Sequence, residues 1–143
     1  MTGKPGTVVQ GGRAKAYRPL PEEDREAAFR AGVAAYDAGD FFAAHEFLEP
    51  AWMGTDDPAE RDLHQGLIKL AAAYVHAVRG NPLGTAKNLR GARERLAAAA
   101  TAADTRGLDV DALVRDVDAR LERLRREPDV ARVDPPPLHW RTP

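Results

Sequence analysis

Apolar residues recur at helical spacing through most of the chain, and their pattern predicts five helices. Leu63, Leu67 and Leu70 illustrate it, since steps of three and four residues place them on one face of an α-helix. Short breaks rich in glycine, proline and aspartate separate the periodic stretches. The predicted helices cover residues 21–38, 41–54, 59–79, 83–103 and 109–127. Because the breaks are short, neighbouring helices are expected to pack antiparallel, which predicts an all-α, up-and-down helical bundle.

The two ends of the chain lack this periodicity and are expected to be flexible arms. Residues 1–20 contain four basic and no acidic side chains, and residues 128–143 contain five prolines. No strand pattern is identified in the chain. We therefore expect a single helical domain over residues 21–127, with a basic arm before it and a proline-rich tail after it. Two states stay open for residues 135–140: a disordered end, or a polyproline stretch that docks Trp140 on the domain or a partner.

The composition narrows the class of protein. A chain of 143 residues that is 43% hydrophobic and 30% charged is long enough for one globular core. Its net charge of −1 creates no overall field toward nucleic acid or anionic lipid. Cysteine and serine are both absent, which removes disulfides, thiolate ligands and two common nucleophiles. The sequence contains neither a membrane-spanning apolar segment nor an apolar run of signal-peptide length, so a cytoplasmic location is expected.

The second predicted helix places a histidine among apolar residues. At about 100° per residue, His45 shares a face with Leu48 and Trp52, so its imidazole is expected to be buried. Glu49 follows one turn later and is placed to pair with that imidazole, whose charged form a neighbouring carboxylate favours. Glu46 lies further round the helix.

The third predicted helix carries a second polar feature. Gln65, Lys69 and His76 form a stripe that faces away from the leucine residues. If this stripe faces the second helix, Gln65 and His76 converge with the His45–Glu49 pair on one interior polar pocket. Periodicity fixes directions on each helix but not the pairing between helices, so the convergence is a hypothesis.

Three motifs follow one another along this part of the chain. They are Phe-Ala-Ala-His-Glu-Phe-Leu-Glu-Pro-Ala-Trp at residues 42–52, Gln-Gly-Leu-Ile-Lys-Leu-Ala-Ala-Ala-Tyr-Val-His at residues 65–76, and a Gly-Asn turn at residues 80–81, followed by residues 84–87. In order and spacing they resemble the bacterial and archaeal family called domain of unknown function 309, over about residues 30–100. The resemblance implies a small helical bundle and no established activity. Pro50 departs from the family pattern and is expected to kink or loosen the second helix.

Several interpretations of this region stay open. A buried His45–Glu49 pair is sufficient to fix the packing of the second and third helices without any further role. A pocket for an unidentified small molecule or protein is a second interpretation. Its candidate residues are His45, Glu46, Glu49, Trp52, Gln65, Tyr74 and His76.

A metal-dependent hydrolase is the catalytic alternative. It would use His45, Glu49 and His76 as ligands of a divalent metal and Glu46 as general base. The sequence weakens this alternative, because Glu49 stands where the zinc-protease pattern His-Glu-x-x-His has its second histidine.

We expect a non-catalytic binding or interaction module that carries no cofactor and has its polar centre at His45, Glu49 and His76. A nucleic-acid-associated protein is a further alternative, since the basic arm and the cations of residues 87–95 offer phosphate contacts. Charged residues on a helix usually form its solvated face, so nucleic acid is not the expected partner. His64 is expected at the surface, near the start of the third helix.

Overall fold

Each predicted helix forms within one residue of its expected ends. The computed structural model describes residues 6–102, 104–129 and 133–142 of the chain. The five helices are α1 (Glu22–Asp37), α2 (Phe41–Met53), α3 (Pro58–Val78), α4 (Pro82–Ala102) and α5 (Val110–Arg126). Each helix packs against the next one in sequence. The prediction of a predominantly all-α bundle is confirmed.

Aspartates at the ends of the connecting segments cap the helices that follow. The carboxylate of Asp40 accepts a hydrogen bond from the backbone N–H of Ala43, at 3.0 Å, and so caps α2. Asp57 caps α3 in the same way, just before Pro58 occupies the first helical position. These residues satisfy backbone donors that have no partner within the helix, which explains why the short breaks start new helices so sharply.

The proline within α2 does not end that helix. The helix continues through Pro50 to Met53. Pro50 and Glu46, whose carbonyl loses its helical donor, both lie on the exposed side of α2. Water is therefore available to that carbonyl, which makes the proline tolerable there.

Helix α3 is the centre of the core. It contacts α2 on one side and α4 on the other, and 10 of its 21 residues are buried. Gly66 allows α4 to approach closely, since a Cβ atom there would lie 2.7 Å from the side chain of Leu96. A helix enclosed in this way buries more of its circumference than a single apolar stripe.

The expectation of no strands is wrong for residues 6–17. Strands β1 (Gly6–Gln10) and β2 (Arg13–Tyr17) pair antiparallel as a hairpin. Its two-residue loop, Gly11-Gly12, has φ values of +58° and +78°, as a type I′ turn requires. The chain after the hairpin is tied to the end of α2, because the N–H of Arg18 donates to the carbonyl of Met53 at 2.8 Å. Residues 1–5 of the predicted basic arm lie outside the described residues.

The described part of the C-terminal tail, residues 133–142, lies against the bundle rather than forming a free end. The hydroxyl of Tyr36 donates to the carbonyl of Pro136 at 2.7 Å. Trp140 forms a β-bridge with Leu108, and the Arg30 guanidinium lies 4.7 Å from the centroid of its ring. Of the two states left open for this segment, the structure shows docking on the domain itself. Residues 130–132 and 143 lie outside the described residues.

None of the described helices has the length and apolar character needed to cross a membrane.

Candidate functional site

The imidazole of His45 is not buried as expected. Its side chain is 35% exposed, and Glu49 is 42% exposed. The Nδ1 atom lies 3.9 Å from a carboxylate oxygen of Glu49 and 3.9 Å from one of Glu46, beyond hydrogen-bond distance. The buried line of α2 runs instead through Ala44 and Leu48, which leaves His45 at the boundary of the packed face.

His76, near the C-terminal end of α3, contacts the turn that follows this helix. Its Nδ1 atom lies 3.1 Å from the side-chain nitrogen of Asn81, in the turn before α4. Across the described residues, no group of three or more histidine, aspartate or glutamate side chains is arranged to hold a metal ion. His45, Glu49 and His76 therefore do not form the ligand set of the catalytic alternative, and Glu46 has no such centre to serve as base.

Trp52 points toward the hairpin. Its indole Nε1 donates to the side-chain oxygen of Gln10 at 2.6 Å. The guanidinium of Arg61, a fully buried residue, lies 4.9 Å from the centroid of the indole ring. Arg61 in turn donates to the carbonyl of Ala16 in β2 at 3.2 Å and to that of Thr55 at 2.9 Å. The tryptophan of the motif thus anchors the hairpin to the bundle.

A chain of hydrogen bonds continues from Trp52 to α4. The amide nitrogen of Gln10 donates to Asp62 at 3.2 Å, and Arg95 donates to the same carboxylate oxygen at 3.2 Å. Gln10 is only 5% exposed. The position of the Arg95 guanidinium is therefore coupled, through Asp62 and Gln10, to the orientation of Trp52.

The side chain of Arg95 lines a polar cavity of about 260 Å³ between the hairpin, α3 and α4. We call this cavity the basic cleft. Its lining residues are Gln10, Gly11, Arg13, Lys15, Gln65, Lys69 and Arg95. Four of them are cationic, and none is acidic. The pKa of the Lys69 ammonium is lowered by partial burial and by the neighbouring charges of Arg95 and Lys15.

The hairpin supplies two of the four cations because of its register. Gln10 pairs with Arg13, and Val8 pairs with Lys15, so these side chains share one face of the ribbon. That face meets α3, whereas Val9 on the opposite face is 69% exposed. The polar side of this hairpin is thus its inner side.

Glycines bring the cleft's cations close to the surrounding backbone. A Cβ atom on Gly11 would clash with the guanidinium of Arg95. One on Gly91 of α4 would lie 2.8 Å from the Cδ atom of Lys69. The close packing limits the freedom of two long side chains that line the cleft.

Residues 29–89 match the protein family described as Domain of unknown function (DUF309). These residues form a DUF309 domain. The matched segment runs from the middle of α1 into α4 and confirms the resemblance seen in the motifs. No curated protein and no solved structure matches the chain.

The DUF309 segment contributes only part of the basic cleft. Gln65 and Lys69 fall within it, whereas Arg13, Lys15 and Arg95 lie outside. Of the polar stripe predicted on the third helix, Gln65 and Lys69 line the cleft and His76 does not, and the side chains that complete the cleft were not predicted. The Gly-Gly turn and the alternation of cations with alanine in residues 13–16 are the signals that would have indicated them.

Tyr74 of the DUF309 domain lies in a different place. It is 2% exposed, and its hydroxyl donates to the carbonyl of Asp134 in the tail at 2.9 Å. Burial raises its pKa. It borders a separate, mainly apolar cavity of about 430 Å³, which Phe41, Val78 and Arg123 also line. His45, Glu49 and His76 line neither this cavity nor the basic cleft.

The expectation that His64 lies at the surface is wrong. It is completely buried beside the ring of Phe29 of α1, with its Nε2 atom 3.0 Å from a carboxylate oxygen of Glu60. Arg25 donates to Glu60 at 2.7 Å, and Arg106 lies 3.2 Å from it. Burial of Glu60 opposes its ionisation, yet the hydrogen bonds from His64 and Arg25 hold its pKa at about 2. This buried ionic cluster joins α1, α3 and the α4–α5 connection.

Proposed function

We propose that this protein is a non-catalytic binding domain whose ligand is an anion held in the basic cleft. The observation that carries the proposal is the convergence of Arg13, Lys15, Lys69 and Arg95 on one cavity. Among the described residues, Arg95 alone of these four forms an ion pair, with Asp62 at 3.2 Å. The other three retain their capacity to bind an anion.

The electrostatics of the cleft favour such a ligand. Like charges placed around one partly buried space repel one another, and the pKa of Lys69 is lowered by burial and, in addition, by that repulsion. A bound anion replaces the repulsion by attraction. The same arrangement does not suit a cationic ligand.

The chemistry of the lining supports binding rather than catalysis. The cleft is lined by cations, amides and a glycine, and it presents no carboxylate, imidazole, hydroxyl or thiol group. These groups bind and orient an anion, and Lys15 and Lys69 are the lining side chains of a type that also serves as a nucleophile or general base. His45, Glu46 and Glu49 belong to another face and have no part in this proposal.

Titration calorimetry with sodium sulfate at constant ionic strength tests the proposal. The double variant Lys69→Gln, Arg95→Gln is expected to lose measurable sulfate binding, because it removes the two partly buried cations that α3 and α4 contribute to the cleft. The matched control is Arg90→Gln, which removes an exposed charge from the same helix as Arg95 without touching the cleft. Equal sulfate affinity in all three proteins would contradict the proposal, since the ion would then bind elsewhere.

A further inference from the structure

We infer that the basic cleft accepts the terminal phosphate of a small phosphate monoester. This inference rests on the proposed anion-binding function and adds the chemical class of the ligand. Its support comes from the charge of the cleft, the direction from which its cations approach, and its depth.

The charge of the cleft matches a dianion. Four cationic side chains face the cavity, and the one carboxylate that pairs with them is that of Asp62 behind Arg95, among the described residues. A phosphate monoester carries a charge of about −2 above its second pKa, which is about 6. A carboxylate or a phosphodiester carries only one negative charge, so either would leave more of the repulsion in place.

The cations approach from three directions. Arg95 projects from α4, Lys69 from α3, and Arg13 and Lys15 from β2. A terminal phosphate has three unesterified oxygens that accept hydrogen bonds on separate sides. The guanidinium of Arg95 has further N–H groups besides the one that donates to Asp62, and Lys69 supplies a compact point charge. Such a site suits a phosphate at the end of a ligand better than a phosphate within a polymer.

The depth of the cleft argues against a nucleic-acid backbone. Only 21% of the Arg95 side chain is exposed, and Lys69 is likewise partly buried, so a ligand must enter the cavity to reach both. A volume of about 260 Å³ is small among ligand pockets, which typically span about 300–1,000 Å³. A phosphodiester carries a sugar on each side and cannot insert its phosphate in this way. On α4, moreover, Arg93 is paired with Asp118 at 2.9 Å rather than free to extend a phosphate-binding strip.

The hairpin turn offers a matched pair of variants. Gly11 and Gly12 both have positive φ, so alanine at either position carries a similar backbone strain. Alanine at Gly11 would collide with the far end of the Arg95 side chain, whereas a Cβ atom on Gly12 meets nothing within 4 Å. The Gly11→Ala variant therefore displaces the Arg95 guanidinium, and Gly12→Ala controls for the strain.

The test is titration calorimetry of the full-length protein with five probes. They are glycerol 3-phosphate, dimethyl phosphate, acetate, sulfate and an unphosphorylated 12-nucleotide DNA strand. At pH 7.5 we expect glycerol 3-phosphate to bind at least about tenfold more tightly than dimethyl phosphate or acetate, which differ from it in charge. Lys69→Gln and Arg95→Gln should each weaken glycerol 3-phosphate about tenfold, and Gly11→Ala should weaken it severalfold while Gly12→Ala does not.

A pH series separates the ligand's charge from the protein's. At pH 5.0 the monoester is mainly a monoanion, so its affinity should fall severalfold, whereas sulfate stays a dianion and should bind as before. The charged groups around the site are Arg13 and Lys15 from β2, Asp62 and Lys69 from α3, and Arg95 with Lys87 and Glu94 from α4. Any titration of these groups would change sulfate binding as well, so the sulfate series detects it.

The outcomes distinguish the ligand class from the function itself. Tighter binding of the DNA strand, acetate or dimethyl phosphate than of glycerol 3-phosphate, with loss in Lys69→Gln, would overturn the monoester and leave an anion site. Failure of every probe, sulfate included, to bind the folded wild-type protein would overturn the proposed function together with this inference.

Discussion

Among the described residues, the side chain of Trp52 makes one hydrogen bond and one cation–π contact, and neither involves His45. The indole N–H reaches Gln10 at 2.6 Å, and Gln10 is almost completely buried. A buried amide oxygen that loses its donor costs about 1–3 kcal/mol, more than the hydrogen bond itself contributes. The residue thus links the stability of the hairpin to the geometry of Arg95.

The variant Trp52→Phe is therefore expected to lower the free energy of unfolding by about 1–3 kcal/mol. It should also weaken sulfate binding severalfold, since the bonds from Gln10 through Asp62 to Arg95 lose their fixed end. Urea denaturation and calorimetry measure the two effects. Trp140→Phe is the control, because its ring lies 42% exposed on the tail and does not contact Gln10. Equal losses in both variants would show that the indole donor of Trp52 has no special role.

The lowered pKa of Glu60 makes the free energy of unfolding depend on pH in the acid range. Its pKa is about 2 in the folded protein, against an ordinary value of 4.5, and its side chain is 13% exposed. A carboxylate with a lowered folded pKa stabilises the fold above its unfolded pKa, and this stabilisation is lost as the pH falls from about 4.5 to about 2. Burial lowers the pKa of His64, so protonation of the unfolded chain below about pH 6.5 acts in the same direction.

We accordingly expect Glu60→Gln to be about 2–3 kcal/mol less stable than the wild type at pH 7, with the difference shrinking toward pH 2. Glu23→Gln, an exposed residue of α1 without an ion pair among the described residues, should change little. Urea denaturation at a series of pH values measures both. A difference for Glu60→Gln that persists unchanged down to pH 2 would contradict the ionic origin of the effect.

At the scale of elements, the five helices were predictable and the two terminal segments were not. Helix periodicity is set by burial of one face, and α1 to α5 obey it closely enough to fix their ends. The hairpin was not predicted because the face that packs against the bundle carries the polar residues Gln10, Arg13 and Lys15, while Val9 on the other face is exposed. This is the reverse of the usual strand pattern, in which the apolar face is the buried one. The burial of His64 escaped because α3 is covered on several sides, whereas a helical wheel assumes one.

The candidate site shows the same limit. His45 and Trp52 were placed on one face of α2, but contacts between elements decide what each side chain meets. Trp52 meets the hairpin, and His45 lies at a partly exposed edge. Sequence periodicity identified Gln65 and Lys69 as polar without indicating that β2 and α4 complete their surroundings.

The docked tail gives a prediction for one hydroxyl group. Tyr36 is 6% exposed and donates to the carbonyl of Pro136, so Tyr36→Phe leaves that carbonyl without its donor. We expect a loss of about 1 kcal/mol in the free energy of unfolding and faster proteolysis within residues 133–142. Tyr17→Phe, which removes a hydroxyl with no hydrogen-bond partner among the described residues, should have neither effect. Unchanged proteolysis in Tyr36→Phe would mean that other contacts hold the tail.

At the scale of the whole molecule, the metal-dependent alternative can be tested by the metal content of the purified protein. Because His45, Glu49 and His76 are not gathered into a ligand set, protein purified without a histidine tag is expected to contain only substoichiometric zinc, iron or manganese. Elemental analysis by mass spectrometry measures it. Stoichiometric metal that disappears in His45→Ala would contradict this expectation and revive the hydrolase alternative.

The position of the basic cleft at the border of the DUF309 segment has a consequence for how such a domain diversifies. Three of its four cations come from residues outside 29–89. Two of these, Arg13 and Lys15, lie in the hairpin, so the lining of the cleft can change through the hairpin while the helices stay the same. Exchange of residues 6–17 between proteins that share this core is expected to transfer ligand preference along with the hairpin.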